Sequence, residues 1–304
     1  EVFTAFAALY DFSRALVMAV PLLLLCLVVA LVAVALLGDR LVVTHRSAGT
    51  HPVPFDQWRR SATVAAMGIL FVALVLPLAI LLGEALGARS LLSVLADSRG
   101  AMVNSLLLAT IGATAVVTVA VWLGYARARS GGGLGKGVDV LFVVLFAVPS
   151  TIVGVGLIGL WNRSGPLGAV YGTDAMLVLG YLARFIPITA LALAATTRYV
   201  PVSHEEAAAV SGAGWLRTMW HIVLPQMRFG LAAAWVIAFV LVFGELGVSI
   251  LVAPPGESTL PIRVYTIIAN TPSPHVAALA LFQTAVIFAP LAALGAAVSL
   301  REAR

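Results

Sequence analysis

Charge is what this sequence has least of. Charged residues make up 10% of its 304 positions, against 62% hydrophobic ones, whereas a soluble globular domain carries about 25%. So little charge cannot cover a compact water-soluble surface, and a mean hydropathy of +1.07 makes lipid the main solvent. Cysteine is nearly missing too. Cys26 stands alone in an apolar run, which excludes an intrachain disulfide or a redox pair. The five histidines, His45, His51, His204, His221 and His275, lack the paired spacing of a metal site, so no metal is expected. No cofactor is expected in this chain either. A nucleotide loop is absent: in Ser130–Gly137, SGGGLGKG, serine stands where the first glycine is required and Gly137 where Ser or Thr must follow Lys136. A secretory signal is also not expected, because the first apolar run is too long and has no small-residue cleavage site.

What is present is a series of long apolar runs. A bilayer-spanning helix needs about 20 mostly apolar residues. Five charge-free runs reach that length: Ala15–Gly38, Ser61–Gly83, Gly100–Ala126, Val140–Asn162 and Val276–Leu300. Two more qualify with one charge each: Ala175–Thr197 with Arg184 and Phe229–Val252 with Glu245. Their Leu, Ala and Val content favours helix. The fold class expected is therefore all-α, a polytopic membrane bundle of about seven transmembrane helices.

The net charge of +5 lies in short clusters between these runs. That is a topology signal and not a nucleic-acid stripe, so no nucleic-acid partner is expected. If the loop after Ser61–Gly83 is outside, 12 Lys and Arg fall inside, 5 outside and Arg184 within the membrane. The positive-inside rule then puts the C-terminus in the cytoplasm. Residues 1–38 are expected to be an extra helix, the last of a preceding module. Residues 39–60 would be a cytoplasmic linker, and 61–304 a complete six-helix module. A free-standing seven-helix protein with a trimmed N-terminus is the alternative.

The longest basic interior loop, 199–228, carries the most specific pattern. Within HEEAAAVSGAGWLRTMWHIVLPQ (His204–Gln226), Ser203 is a candidate N-cap for a short helix with Glu205 and Glu206 in its first turn. Ala207–Ala209 form a slim helical surface. Gly212 and Gly214 permit a sharp bend. Trp215, Met219 and Ile222 then recur at spacings of four and three on a second short helix, which Pro225 ends. Two short helices meeting at a bend make a knob for a partner's groove; an amphipathic loop lying on lipid is the plainer alternative.

Glu206-Ala207-Ala208, then Gly212, then Ile222, Leu224 and Pro225 fit E-A-A-x3-G-x9-I-x-L-P at every specified position. The loop resembles the cytoplasmic EAA loop of ABC importer permeases. That resemblance implies that Glu205, Glu206, Ala207, Ala208, Gly212, Ile222, Leu224 and Pro225 dock on an ABC ATPase subunit dimer. It further implies an extracytoplasmic solute-binding protein, a second permease module, fused or separate, and a bacterial inner membrane. The chain itself would be a transport subunit and not an enzyme, since ATP is hydrolysed by the partner. The stretch FGELGVSILVAPPGESTLPIRVYT (Phe243–Thr266) resembles the iron(III), thiamine and aminoethylphosphonate permeases, which makes iron(III) the first cargo to expect. Thiamine, phosphonate or polyamine are the alternatives.

Arg184 and Glu245 remain. An arginine at that depth costs about 2.5–3.5 kcal/mol on insertion scales, so it should face the bundle interior with a partner. At a 1.5 Å rise per residue, Arg184 lies about 15 Å and Glu245 about 10 Å below the outer surface, a gap the long side chain can bridge. A structural ion pair and direct contact with cargo are both open. An ion-coupled secondary transporter would place several ionisable groups at the midplane, and only these two are available. A membrane-embedded enzyme would need a nucleophile–base or metal constellation within the spans, and none is visible.

Overall fold

The computed structural model describes residues 12–37, 58–87, 91–256 and 258–302. Residues 39–57 of the expected linker 39–60, the stretch Glu1–Asp11 and the basic residues Arg40, Arg46, Arg89 and Arg304 lie outside the described residues. Among the described residues there are helices and no strand. In chain order they are α1 (Phe12–Leu37), α2 (Arg60–Leu86), α3 (Leu91–Asp97), α4 (Arg99–Arg129), α5 (Gly132–Ala147) and α6 (Ser150–Trp161). There follow α7 (Asp174–Thr197), α8 (Val202–Val210), α9 (Trp215–Gln226) and α10 (Arg228–Phe243), α11 (Ser249–Val252), α12 (Leu260–Ile267) and α13 (Ser273–Glu302).

Four helices, α2, α4, α7 and α13, are long and apolar enough to cross a membrane. Two bent pairs, α5 with α6 and α9 with α10, raise the number to six if each is one span, and α1 holds a shorter apolar stretch at Val17–Val32. The all-α membrane bundle is thus as expected, but two of the seven runs are not single helices. Val140–Asn162 turns through 91° between α5 and α6. Pro149 is the cause: it has no amide hydrogen and disfavours helical geometry at Val148, and both residues are extended, with ψ of 126° and 137°. Phe229–Val252 also breaks. α10 ends at Phe243, and Glu245 folds its carboxylate back so that Oε1 accepts the Val248 amide at 2.9 Å. That local bond competes with the helical one.

Proline shapes the helices in a second, gentler way. Pro77 and Pro225 each stand two residues beyond a five-residue π segment, Phe71–Val75 and Met219–Val223. Since proline donates nothing, one carbonyl of the preceding turn loses its partner. The chain absorbs one extra residue per turn instead, and the Leu76 and Leu224 amides reach back five residues to Phe71 and Met219.

The core forms where α4 crosses α7, with α10 against both. Small side chains allow this close approach: Ala113, Val116 and Ala120 of α4 are completely buried, as is Ala190 of α7. Tyr181, Phe185, Phe239 and Phe243 fill the space towards α11 and α12. Trp235, Phe239 and Phe243 stack along α10 with centroids 5.5 and 5.8 Å apart. A second apolar cluster, around Leu193, Met219, Val223 and Met227, seats the 199–228 loop on the bundle. By contrast α2 touches little except α13 and exposes a broad apolar face, as lipid contact requires.

Candidate functional site

Two places combine polar chemistry with backbone that departs from regular helix. The first is the loop. α8 begins after Pro201, whose ψ of 133° is extended. The N-cap is therefore Pro201 and not Ser203, which sits inside the helix, and only Glu205 falls in the first turn. The helix closes with a paired C-terminal bond: Gly212 N–H donates to Ala209 O at 3.0 Å and Ala213 N–H to Ala208 O at 2.9 Å. This Schellman arrangement requires a left-handed residue, and Gly212 supplies it with φ +80°. Gly214 has a negative φ and an extended ψ, so the bend rests on Gly212 alone.

Beyond the bend, α9 runs to Gln226 and the chain turns 77° into α10. Glu206, Ala207, Gly212 and Pro225 are exposed, Ile222 and Leu224 are half-buried, and Ala208 is buried. Of the apolar stripe of α9, Met219 is fully buried, Ile222 is half-buried and Trp215 is 53% exposed, so the anchor is Met219. Between α8 and α9 lies an open groove of about 590 Å³ lined by Ala207, Ala208, Arg217, Thr218, His221 and Ile222. His204 Nδ1 and Gln226 Oε1, 3.2 Å apart, tie the start of one arm to the end of the other.

Glu205 is turned the other way. Its Oε2 accepts the Tyr125 hydroxyl at 2.6 Å, and its Oε1 accepts Arg129 Nε at 2.9 Å. Arg129 also pairs with it through Nη2 and donates to Val200 O at 3.0 Å. Neither Tyr125 nor Arg129 stands out in the sequence, beyond a basic helix end. Two residues before Arg129 and on the other side of α4, Arg127 pairs with Asp139 and ties α4 to α5.

The second place lies where the broken segments meet. Arg184 Nε is 3.6 Å from Glu245 Oε2, with the two side chains 21% and 9% exposed. The expected pair is thus brought together, but its separation exceeds a hydrogen bond, and Nε has no hydrogen-bond partner. The strongest bonds of Arg184 go elsewhere: Nη1 donates to Val148 O at 2.6 Å and to Phe146 O at 3.3 Å. A guanidinium thus caps the carbonyl end of α5, where the helix dipole is negative. Packing around the joint is close. A Cβ on Gly180 would stand 2.5 Å from Val248 Cγ1, and one on Gly247 would stand 2.0 Å from Ser150 Oγ. Tyr181 and Ser249 hydroxyls meet at 3.2 Å just beside it. Among the described residues no group of three metal-ligating side chains occurs.

Residues 116–300 match the family model described as binding-protein-dependent transport system inner membrane component. The chain is similar to a 2-aminoethylphosphonate transport system permease protein of Salmonella choleraesuis, 26% identical over 71% of this chain and 86% of that one. It is similar to the molybdenum transport system permease protein of Mycobacterium tuberculosis, 27% identical over 81% of this chain and 95% of that one. It is also similar to a ferric transport system permease protein of Haemophilus influenzae, 30% identical over 46% of this chain and 22% of that longer one.

Proposed function

The chain belongs to the family of binding-protein-dependent transport system inner membrane components, and on that premise we propose that it moves a small solute inward by alternating access. A separate ATPase dimer docked on loop 199–228 drives the cycle, and an extracytoplasmic binding protein delivers the solute to a second permease module and this one. The observation that carries this reading is the seven-position motif on a two-helix loop whose Glu206, Ala207 and Gly212 are exposed, clear of the bundle and free for a partner. The test is reconstitution in proteoliposomes with the ATPase and binding protein. Uptake should require ATP and stop when the ATPase is omitted; uptake driven by an ion gradient alone would favour a secondary carrier.

Iron(III) is the cargo we would assay first, on the resemblance of Phe243–Thr266. The relatives carry three different cargo names, so 2-aminoethylphosphonate and molybdate belong in the same uptake panel. Concentrative uptake of only one of the latter would remove iron.

The Arg184–Glu245 joint acts as a gate on the pathway. It links two discontinuous segments, the arrangement by which transporters expose backbone to a solute. The ion pair has no hydrogen bond to hold it shut, so it can open without losing one.

Orientation is the remaining element of the proposal. Loop 199–228 and the C-terminus face the cytoplasm in this proposal, which the distribution of basic clusters supports. Cysteines introduced at Ser130 and Ser211 should react with an impermeant reagent only from the cytoplasmic side, and one at Ser258 only from outside. Reaction of Ser211→Cys and Ser258→Cys from the same side would overturn the topology between them.

A further inference from the structure

We propose that Glu205 is a positioning residue that fastens the docking loop to α4, and that α4 carries the loop's movement to the opposite face of the bundle. The inference rests on reading loop 199–228 as the ATPase-docking element. It changes the part Glu205 plays there: the acid beside the motif glutamate holds the loop from behind.

Adjacent acids on a helix point about 100° apart, and these two face different surroundings. Glu206 is exposed, whereas the Glu205 carboxylate is half-buried and receives Tyr125 and Arg129. Arg129 reaches Val200 O as well, so it also grips the backbone that leads from α7 into α8. The same face of α4 holds the other arm. The Trp215 ring lies 5.7 Å from that of Trp122 and 6.1 Å from that of Tyr125. Residues 122, 125 and 129 follow helical spacing. One stripe on one helix therefore takes hold of both α8 and α9, on either side of the Gly212 bend.

α4 is suited to transmit what it receives. Its 31 residues form a rod about 46 Å long at 1.5 Å per residue. At its far end Ser105 Oγ accepts the Leu260 amide of α12 at 2.5 Å, two residues beyond Ser258. The covalently attached route is less direct, because α9 joins α10 through a 77° bend. A displacement of the loop thus reaches the far face through one unbroken helix with a polar clamp at one end and a buried hydrogen bond at the other.

The test uses the complete permease with its ATPase and a Ser258→Cys probe in a Cys26→Ala background. Labelling of Ser258→Cys by an impermeant maleimide is compared with and without ATP and vanadate, and attachment of the ATPase is measured by co-purification. In the parent the nucleotide should change the labelling rate by about fivefold or more, the lower range of allosteric coupling. Glu205→Ala and Arg129→Ala should abolish that change while the ATPase stays attached, and the double variant should be no worse than either alone. Glu205→Gln, which still accepts from Tyr125, should recover part of it. Loss of ATPase attachment in Glu205→Ala, as complete as in Glu206→Arg, would make Glu205 a docking contact and overturn the proposal. An unchanged nucleotide response in Glu205→Ala, or none in the parent, would overturn it as well. If Glu206→Arg left the ATPase attached, the docking-loop reading itself would fall, and this inference with it.

Discussion

Arg184→Met should lower the yield of folded permease severalfold, and Glu245→Gln less so, while the double variant should recover much of the loss. Removing one member of a buried pair leaves an uncompensated charge, a destabilisation of about 3–5 kcal/mol. Arg184→Met would strand the Glu245 carboxylate, which is 9% exposed, and leave the carbonyls of Phe146 and Val148 without their cap. Glu245→Gln strands an arginine that still has those carbonyls, and its amide oxygen can still accept from Val248. The effects should therefore be unequal. Yield from detergent extracts and uptake in proteoliposomes are the measurements. Normal yield with abolished uptake in either single variant would assign the residue to cargo contact. Additive losses on both readouts would mean that the two side chains act independently.

Gly212→Val should leave the protein in the membrane and remove most ATP-driven uptake. At φ +80° a β-branched residue is a genuine outlier, and the strain is on the order of 1–3 kcal/mol. No neighbouring atom lies within 4 Å of the position a Cβ would take, so the penalty is conformational and not steric crowding. Relief would come by unwinding the paired bonds to Ala208 and Ala209 and swinging α8 relative to α9. Gly212→Asn, which tolerates the left-handed region, should retain far more activity. Equal uptake by the valine variant and the parent would show that the bend is dispensable.

The helical membrane character was legible because hydropathy over a window integrates many weak preferences that agree. The loop was legible because its residues are close in sequence and chemically unlike their surroundings. What hydropathy cannot register is where the backbone hydrogen bonds go. Val140–Asn162 scores as one uniform run although Pro149 divides it, and Phe229–Val252 hides a break made by Glu245 bonding its own neighbour. The proline was readable from local rules; the glutamate's fold-back was not. Ser203 failed as an N-cap for a similar reason, since an extended Pro201 had already started the helix two residues earlier. The Glu205 clamp lay out of reach altogether. Its partners are 76 and 80 residues away, and only the packing of α4 against α7 brings them together.

The π segment of α9 has a consequence for the phase of the docking loop. Each residue of an α-helix advances about 100° around the axis, so one inserted residue rotates everything beyond it by about that amount. Ile222 and Leu224 therefore do not share the azimuth that a regular helix starting at Trp215 would give them. Deleting one residue between Met219 and Val223 would remove the wide turn, return Pro225 to a regular register in which its ring meets the carbonyl four residues back, and swing the exit into α10 by more than a quarter turn. The nine-residue interval between Gly212 and Ile222 is thus an angular setting as much as a length, and a loop one residue shorter would present its second arm to the wrong side of α4.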